Sequence, residues 1–256
     1  MATPAPSPAY PIQSVDHALR LVDLFAERRR LTIGEIAKRL DVAPSTASRL
    51  VAMLQVHGYA VREDDSRAYV VGPKLRDIGL AAVRELDLRV QTRPYLEALS
   101  AETGETVQVG VLQGQTVVFL DCVEGTRLLR VSSRVGELLP AHSLSTGKVL
   151  LAELSPDEFR ELYPRETLTR LTARTTTSRA ELQRELAEVA RRGYATAFSE
   201  SEEAVSTVAV AVRDPIGRVR CALSIAAPGS RLTPKNVDKF AALLQRTARA
   251  VGAGLL

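Results

Sequence analysis

The chain has 256 residues, 45% hydrophobic and 25% charged, which is ordinary globular composition and enough length for one or two domains with real cores. Its net charge of +4 permits nucleic-acid binding without establishing it, while its two cysteines, Cys122 and Cys221, provide neither a disulfide framework nor metal-ligand spacing. With 4% aromatics and no tryptophan, stacking on single-stranded nucleic acid is a poor fit, and no apolar run approaches a membrane span.

The start, MATPAPSPAY, lacks a basic segment followed by an apolar one, so it is not a signal peptide. Residues 1–11 read as a disordered Pro- and Ala-rich tail, and two free, buried thiols fit a reducing cytoplasm. A helix is predicted from Ser14, with Val15, Ala18, Leu19, Val22 and Phe25 on one inward stripe. Residues 31–59 then read as two short helices and a tight turn. Thr32 with Glu35 forms a capping box ahead of the apolar face Ile33, Ile36, Ala37 and Leu40. Pro44 suits the first turn of the next helix, whose Ala47, Leu50, Val51 and Leu54 point inward, and Gly58 stops it.

The outer face of that second helix carries Ser45, Thr46, Ser48 and Arg49, small hydroxyls and a cation suited to phosphates and base edges. Residues 59–62 and 68–71 flank a polar turn and read as a hairpin, which completes a winged helix. Residues 11–72 hold nine Lys/Arg against eight Asp/Glu, so the charge is local: Arg28, Arg29, Arg30, Lys38, Arg39, Arg49 and Arg67. The DNA-facing set is accordingly Thr32, Pro44, Ser45, Thr46, Ser48, Arg49 and Arg67. A small helical subdomain that docks protein is the alternative on pattern alone.

After Gly72-Pro73, residues 74–88 place Leu75, Ile78, Gly79, Ala82 and Leu86 at helical spacing, and Pro94 opens a further helix that ends near Gly104. Strands are predicted at 106–112, 116–121 and 128–133. Helices follow at about 146–154, from Ser155-Pro156-Asp157-Glu158, and from Ser178 to Gly193. Strands near 195–198, 207–213 and 219–226 and a last helix over 235–251 complete an α+β, sensor-like second domain.

Chemistry-bearing motifs are few. Ser145-Thr146-Gly147-Lys148 fails as a phosphate loop, because His142 and Val149 stand where a glycine and a hydroxyl are needed. This loop entering a helix suits a carboxylate, although capping by Ser143 or Ser145 explains it equally well. His142 reads as a hydrogen-bonded loop residue, and His17 and His57 lack partners for metal or nucleophilic chemistry. Glu200, Glu202 and Glu203 read as surface. No catalytic residue, metal or cofactor is expected.

With these segments in place the chain resembles an IclR-family transcriptional regulator over about 12–251. The likeness rests on IQSVDHALRLVDLF, LTIGEIAKRLDVAPSTASRLVAML and HGY, then TGETVQVGVL, LPAHSLSTGKVLLAEL, RRGYA, SEEAVSTVAVAVRD and CALSIAAP. It implies an N-terminal winged helix-turn-helix over 12–73, a linker helix over 74–90, and a GAF-like α/β effector domain with an antiparallel sheet over 91–256. It implies a regulator of double-stranded DNA, with repressor and activator both left open, a palindromic operator, a homodimer or dimer of dimers, and a small organic or aromatic acid as effector. The effector positions it implies are Ser145, Thr146, Gly147, Thr207, Ser224 and Ala226. Ala204 stands where a glycine is usual, Ser206 where an arginine is frequent and Ala211 where a proline is frequent. Two other readings are a metabolic enzyme with a protein-docking N-terminal module and a regulator whose second domain only dimerises.

Overall fold

The structure, a computed structural model, describes residues 12–63 and 66–255, so the expected disordered tail lies outside the described residues. Two compact units meet at the Arg84/Glu85 boundary.

The first unit contains α1 (Gln13–Glu27), β1 (Leu31–Thr32), α2 (Ile33–Leu40), α3 (Pro44–Val56), β2 (Ala60–Arg62) and β3 (Ala68–Val71). The Thr32 hydroxyl accepts from the Glu35 amide, and the Glu35 carboxylate accepts from the Thr32 amide, closing the capping box of α2. Asp41 ends α2 in the left-handed region (φ 55°), which turns the chain into Pro44 at the start of α3. The wing is an antiparallel sheet in the order β1-β3-β2, and its third strand, β1, is too short to show as a sequence pattern. Leu21, Leu24 and Phe25 of α1 bury against Leu31, Ile36, Leu40 and Val51. The expected α1 stripe is therefore corrected. Val15 and Leu19 are exposed, because the core is gathered at the C-terminal half of this helix.

α4 (Pro73–Thr103) is one helix, not two. Pro94 removes one ladder donor, yet Leu88, Thr92, Leu96 and Leu99 form a single buried stripe past it while Pro94 itself faces solvent. That stripe holds the helix together. Along its earlier turns Ile78, Leu80, Val83 and Leu86 are exposed; the side chain of Ala82 lies outside the described residues.

The second unit continues with β4 (Thr106–Gln113), β5 (Thr116–Val123), β6 (Leu138–Pro140), a 3-10 turn at Ala141–Ser143, α5 (Ser145–Leu151), α6 (Pro156–Leu162), α7 (Arg179–Arg192), β7 (Ala195–Phe198), β8 (Val205–Arg213), β9 (Val219–Pro228) and α8 (Val237–Ala253). The strand expected at 128–133 is absent: this segment is irregular, and Leu128 is fully exposed. Its backbone is held by side chains, with Thr106 Oγ1 donating to the Val131 carbonyl at 2.6 Å and Arg231 Nη2 to that of Leu129 at 2.7 Å. The strand that borders β5 is β6, in a six-stranded antiparallel sheet of order β6-β5-β4-β9-β8-β7.

Alternation gives that sheet two different faces. Val107, Val109, Val208, Val210, Leu223 and Ile225 pack with Leu96 and Leu99 of α4 and Leu244 and Ala248 of α8. Each of the larger side chains there contributes about 1.5–3 kcal/mol by burial. The opposite face carries Gln108, Gly110, Thr207, Ala209, Ala222, Ser224 and Ala226, small or polar residues against which α5 lies. Cys221 is buried and its thiol is pushed up to about 12 by that burial, whereas Cys122 is only half-buried. Among the described residues, no helix is long and apolar enough to cross a membrane.

Candidate functional site

Two surfaces gather the sequence-predicted residues, one in each unit. On the first, Ala43 precedes α3 without a capping side chain and Pro44 contributes no N–H. The first turn contains no acid, so the positive end of a 13-residue helix faces out, unneutralised. Ser45, Thr46, Ser48 and Arg49 are exposed around it, while Ala47 and Val51 are buried beneath.

The surrounding cations divide into two groups. Arg30 pairs with Glu63 at 2.8 Å and Arg39 with Glu27 at 2.7 Å. Arg49 and Arg67 make no hydrogen bond or ion pair with any described residue, and both are exposed. Thr32 is exposed, but its hydroxyl also donates to Glu35 Oε2 at 2.8 Å, so both its hydrogen-bonding roles are committed to the cap.

On the second unit, a cavity lies between α5, the small-residue face of the sheet and the loops at 131–135 and 199–204. Thr207 pairs with Ala226 across β8 and β9, and Ser224 with Ala209, so Thr207 and Ser224 are diagonal neighbours on one face. Thr146, Thr207, Ser224 and Ala226 line the cavity together with Gln108, Phe119, Leu139, Leu144 and two ions, Arg134 and Glu202. Ser145 and Gly147 do not. The Ser145 hydroxyl donates to Thr207 Oγ1 at 2.7 Å, which fixes the start of α5 on β8. A Cβ at Gly147 would stand 2.0 Å from the Ala141 carbonyl oxygen, so only glycine lets α5 fold back on the 3-10 turn. Neither serine caps α5: its N-cap is Leu144, and Ser143 donates to the Pro140 carbonyl at 2.9 Å.

Lys148 is fully buried one turn along α5, where its ammonium donates to Glu200 at 2.6 and 2.8 Å and to Glu185 at 2.7 Å. Two carboxylates offset the desolvation of one cation. Reading Glu200 as surface is corrected here. Its side chain is 12% exposed, and burial pushes its carboxyl above the usual range against the opposing pull of Lys148. Glu202 and Glu203 are exposed. The carbonyl of Glu200 accepts from Thr175 Oγ1 at 2.7 Å and that of Ser199 from Thr172 Oγ1 at 2.6 Å, so the base of the 199–204 loop is pinned from both sides.

His142 is buried with Nε2 2.8 Å from the Thr169 carbonyl, which can only accept, so this nitrogen carries the proton. Burial holds the imidazole below its ordinary value, with the Lys148 charge acting in the same direction. A neighbouring groove of about 470 Å³ runs past His142 and Tyr163 and contains none of the expected effector residues. Sequence reasoning missed Arg134, Glu202, Gln108 and Phe119. Arg134 falls in the loop expected after the run at 128–133, and pairing between residues 68 positions apart leaves no local pattern.

Residues 14–64 match the family model described as the IclR helix-turn-helix domain, and residues 80–253 match the one described as bacterial transcriptional regulator IclR C-terminal. Among curated relatives, the HTH-type transcriptional regulator XynR of Escherichia coli K12 is 35% identical over 95% of this chain and 97% of its own. Among solved structures, the Thermotoga maritima IclR has 26% identity and a TM-score of 0.63, covering 94% of this chain and 98% of that one. An IclR homologue of Microbacterium hydrocarbonoxydans, solved in complex with 4-hydroxybenzoate, has 27% identity and a TM-score of 0.61, covering 93% and 97%.

Proposed function

The chain belongs to the IclR family of bacterial transcriptional regulators, and from that premise we propose how it reads DNA and what it senses. It is an effector-modulated, DNA-binding transcriptional regulator, and its relatives are regulators and not enzymes. In the proposed mode, α3 enters the major groove. Ser45, Thr46 and Ser48 approach phosphates or base edges there, and Arg49 supplies the specific contact. Arg67 on the wing reaches the adjacent backbone, with Thr32 and Pro44 shaping the helix starts beside it.

The functional unit is a dimer, or a dimer of dimers, on a palindromic operator. Ile12, Val15, Leu19, Ile78, Leu80 and Val83 are large, apolar and exposed within the first unit, and a lone copy leaves them in water. One winged helix also contacts too few base pairs for genomic specificity. The reader spans 12–73, the linker helix 74–90 and the effector domain 91–256.

The effector is a small organic acid, held in the cavity between α5 and the sheet by Thr146, Thr207 and Ser224 over Ala226. Ser145 and Gly147 act indirectly, by fixing α5. The observation that carries this reading is the convergence of four hydroxyls, those of Thr146, Ser201, Thr207 and Ser224, and one guanidinium on a cavity whose apolar walls include Phe119, Leu139 and Leu144. The aromatic acid bound by the Microbacterium relative supports the same class of ligand. One observation favours the second reading, of a domain that only assembles: the cavity measures about 20 Å³.

Mobility-shift assays on the gene's own upstream region, sedimentation, and thermal shifts with a panel of small aromatic and aliphatic acids test these readings together. A dimer or larger species, a sequence-specific shift and stabilisation by at least one acid are expected. A clean monomer binding a half-site with full affinity would contradict the assembly, and indifference to every acid would leave the second domain as an assembly module.

A further inference from the structure

The cavity between α5 and the sheet carries one cation and one anion among its lining residues, and the two are bonded to each other. Arg134 Nη2 donates to Glu202 Oε2. Arg134 also lies 3.7 Å from Glu137, which makes Glu202 the nearer of its two carboxylates. The side chain of Glu202 has no other partner among the described residues.

The space these walls enclose is about 20 Å³, on the order of one water molecule. Pockets that hold organic ligands measure about 300 Å³ or more, so entry of such a ligand requires a wall to move. The wall suited to move is the loop at 199–204, which carries Ser201 and Glu202 into the lining. It is bounded by two non-glycine residues in the left-handed region, Ser199 (φ 58°) and Ala204 (φ 63°). Glu200 anchors its base through buried Lys148, whereas Glu202 meets solvent and is held by one exposed ion pair. The base is fixed, and the backbone bond nearest the tip, from the Val205 N–H to the Glu202 carbonyl, is long at 3.4 Å.

Resting on the reading of this cavity as the effector site, we propose that Arg134 anchors the effector's carboxylate and that Glu202 is its built-in competitor. Glu202 occupies the guanidinium until the arriving carboxylate takes its place. A planar guanidinium offers parallel N–H donors that fit any carboxylate, whether on a glutamate or on a small acid. Tethering gives Glu202 a high effective concentration at Arg134 and so sets a threshold the ligand must exceed. Because its side chain is already 51% exposed, its release requires little new hydration of the charge. The ligand class is thus a small carboxylate whose body packs on Phe119 and Leu144. A second polar group on that body would meet Thr207 and Ser224. A neutral amide of the same shape cannot make the exchange.

Calorimetric titration of the full-length protein with acetate, benzoate and benzamide tests the exchange. Glu202→Gln frees Arg134 and should bind acetate or benzoate more tightly than the wild type, by up to about fivefold, the scale of one partly exposed ion pair. Benzamide should bind both proteins equally. Adding Arg134→Met to Glu202→Gln should abolish the gain, and so should adding Ala226→Val, which narrows the cavity. No gain for either acid in Glu202→Gln, or a gain that survives loss of Arg134, overturns the proposal. If no gain appears while Ala226→Val still removes wild-type benzoate binding, the effector-cavity reading stands and the exchange alone falls. A gain that needs Arg134 but survives Ala226→Val puts the anion outside the cavity, and both fall.

Discussion

Arg49 and Arg39 lie on the same helix pair, and their surroundings predict opposite behaviour. Arg39 is held by Glu27, whereas Arg49 stands exposed and without a described partner beside Ser45 and Ser48. Arg49→Ala should therefore weaken specific operator binding by about 1–3 kcal/mol if the guanidinium reads a base. If it touches only phosphate, affinity should fall on every sequence and the salt slope should shrink by about one. Fluorescence anisotropy on operator and random DNA at several salt concentrations distinguishes these outcomes. Unchanged affinity on both would remove Arg49 from the interface, and Arg39→Ala should change little in either case. The outward face of α3 was legible in the sequence because its contacts are local and helical periodicity sorts them. Glu200 was not. Its partner Lys148 lies 52 positions away, and a run containing three glutamates reads as solvated surface until the fold brings a buried ammonium to one of them.

At the scale of elements, the loop at 199–204 carries a strain that can be relieved. Ala204 sits at φ 63° with its side chain exposed. An L-residue there is disfavoured by about 1–2 kcal/mol, which accounts physically for the glycine usual at this position in the resembling family. Glycine loses about 0.5–1 kcal/mol more than alanine to chain entropy on ordering. Ala204→Gly should accordingly stabilise the effector unit by up to about 1 kcal/mol, a rise of a few degrees in Tm by calorimetry. A lower Tm would show that the left-handed turn is not strained. Elements with chemical punctuation were readable in advance. Ser155 and Glu158 cap α6 reciprocally, the Ser178 hydroxyl accepts from the Glu181 amide at the start of α7, and Gly193 ends α7 at φ 77°. The errors arose where tertiary packing overrides local preference. Pro94 suggests a break, yet the buried stripe from Leu88 to Leu99 carries α4 through it. The run at 128–133 has strand propensity, but no neighbouring strand accepts it, and side chains of Thr106 and Arg231 bind its carbonyls instead.

For the whole molecule, an effector can change operator affinity only by binding two states of the protein unequally, an effect typically worth about 1–3 kcal/mol. The two-domain plan was legible because a helical, cation-bearing segment gives way at Glu105 to β-branched runs. The cavity's dimensions were not, since they depend on how loops at 131–135 and 199–204 close over one face of the sheet. In the proposed mechanism a small carboxylate held in that cavity controls DNA binding. That control is tested most directly by titrating labelled operator DNA with the wild type and with Ala226→Val, each with and without the acid that most stabilises the wild type. Valine adds two methyl groups on a strand that favours β-branched residues, and operator affinity without the acid serves as the folding control. Wild-type affinity should shift by about 5- to 150-fold with the acid, while Ala226→Val should bind operator alike in its presence and absence. A full wild-type shift retained by Ala226→Val, with its operator affinity intact, would contradict the account and place the sensor elsewhere on the chain.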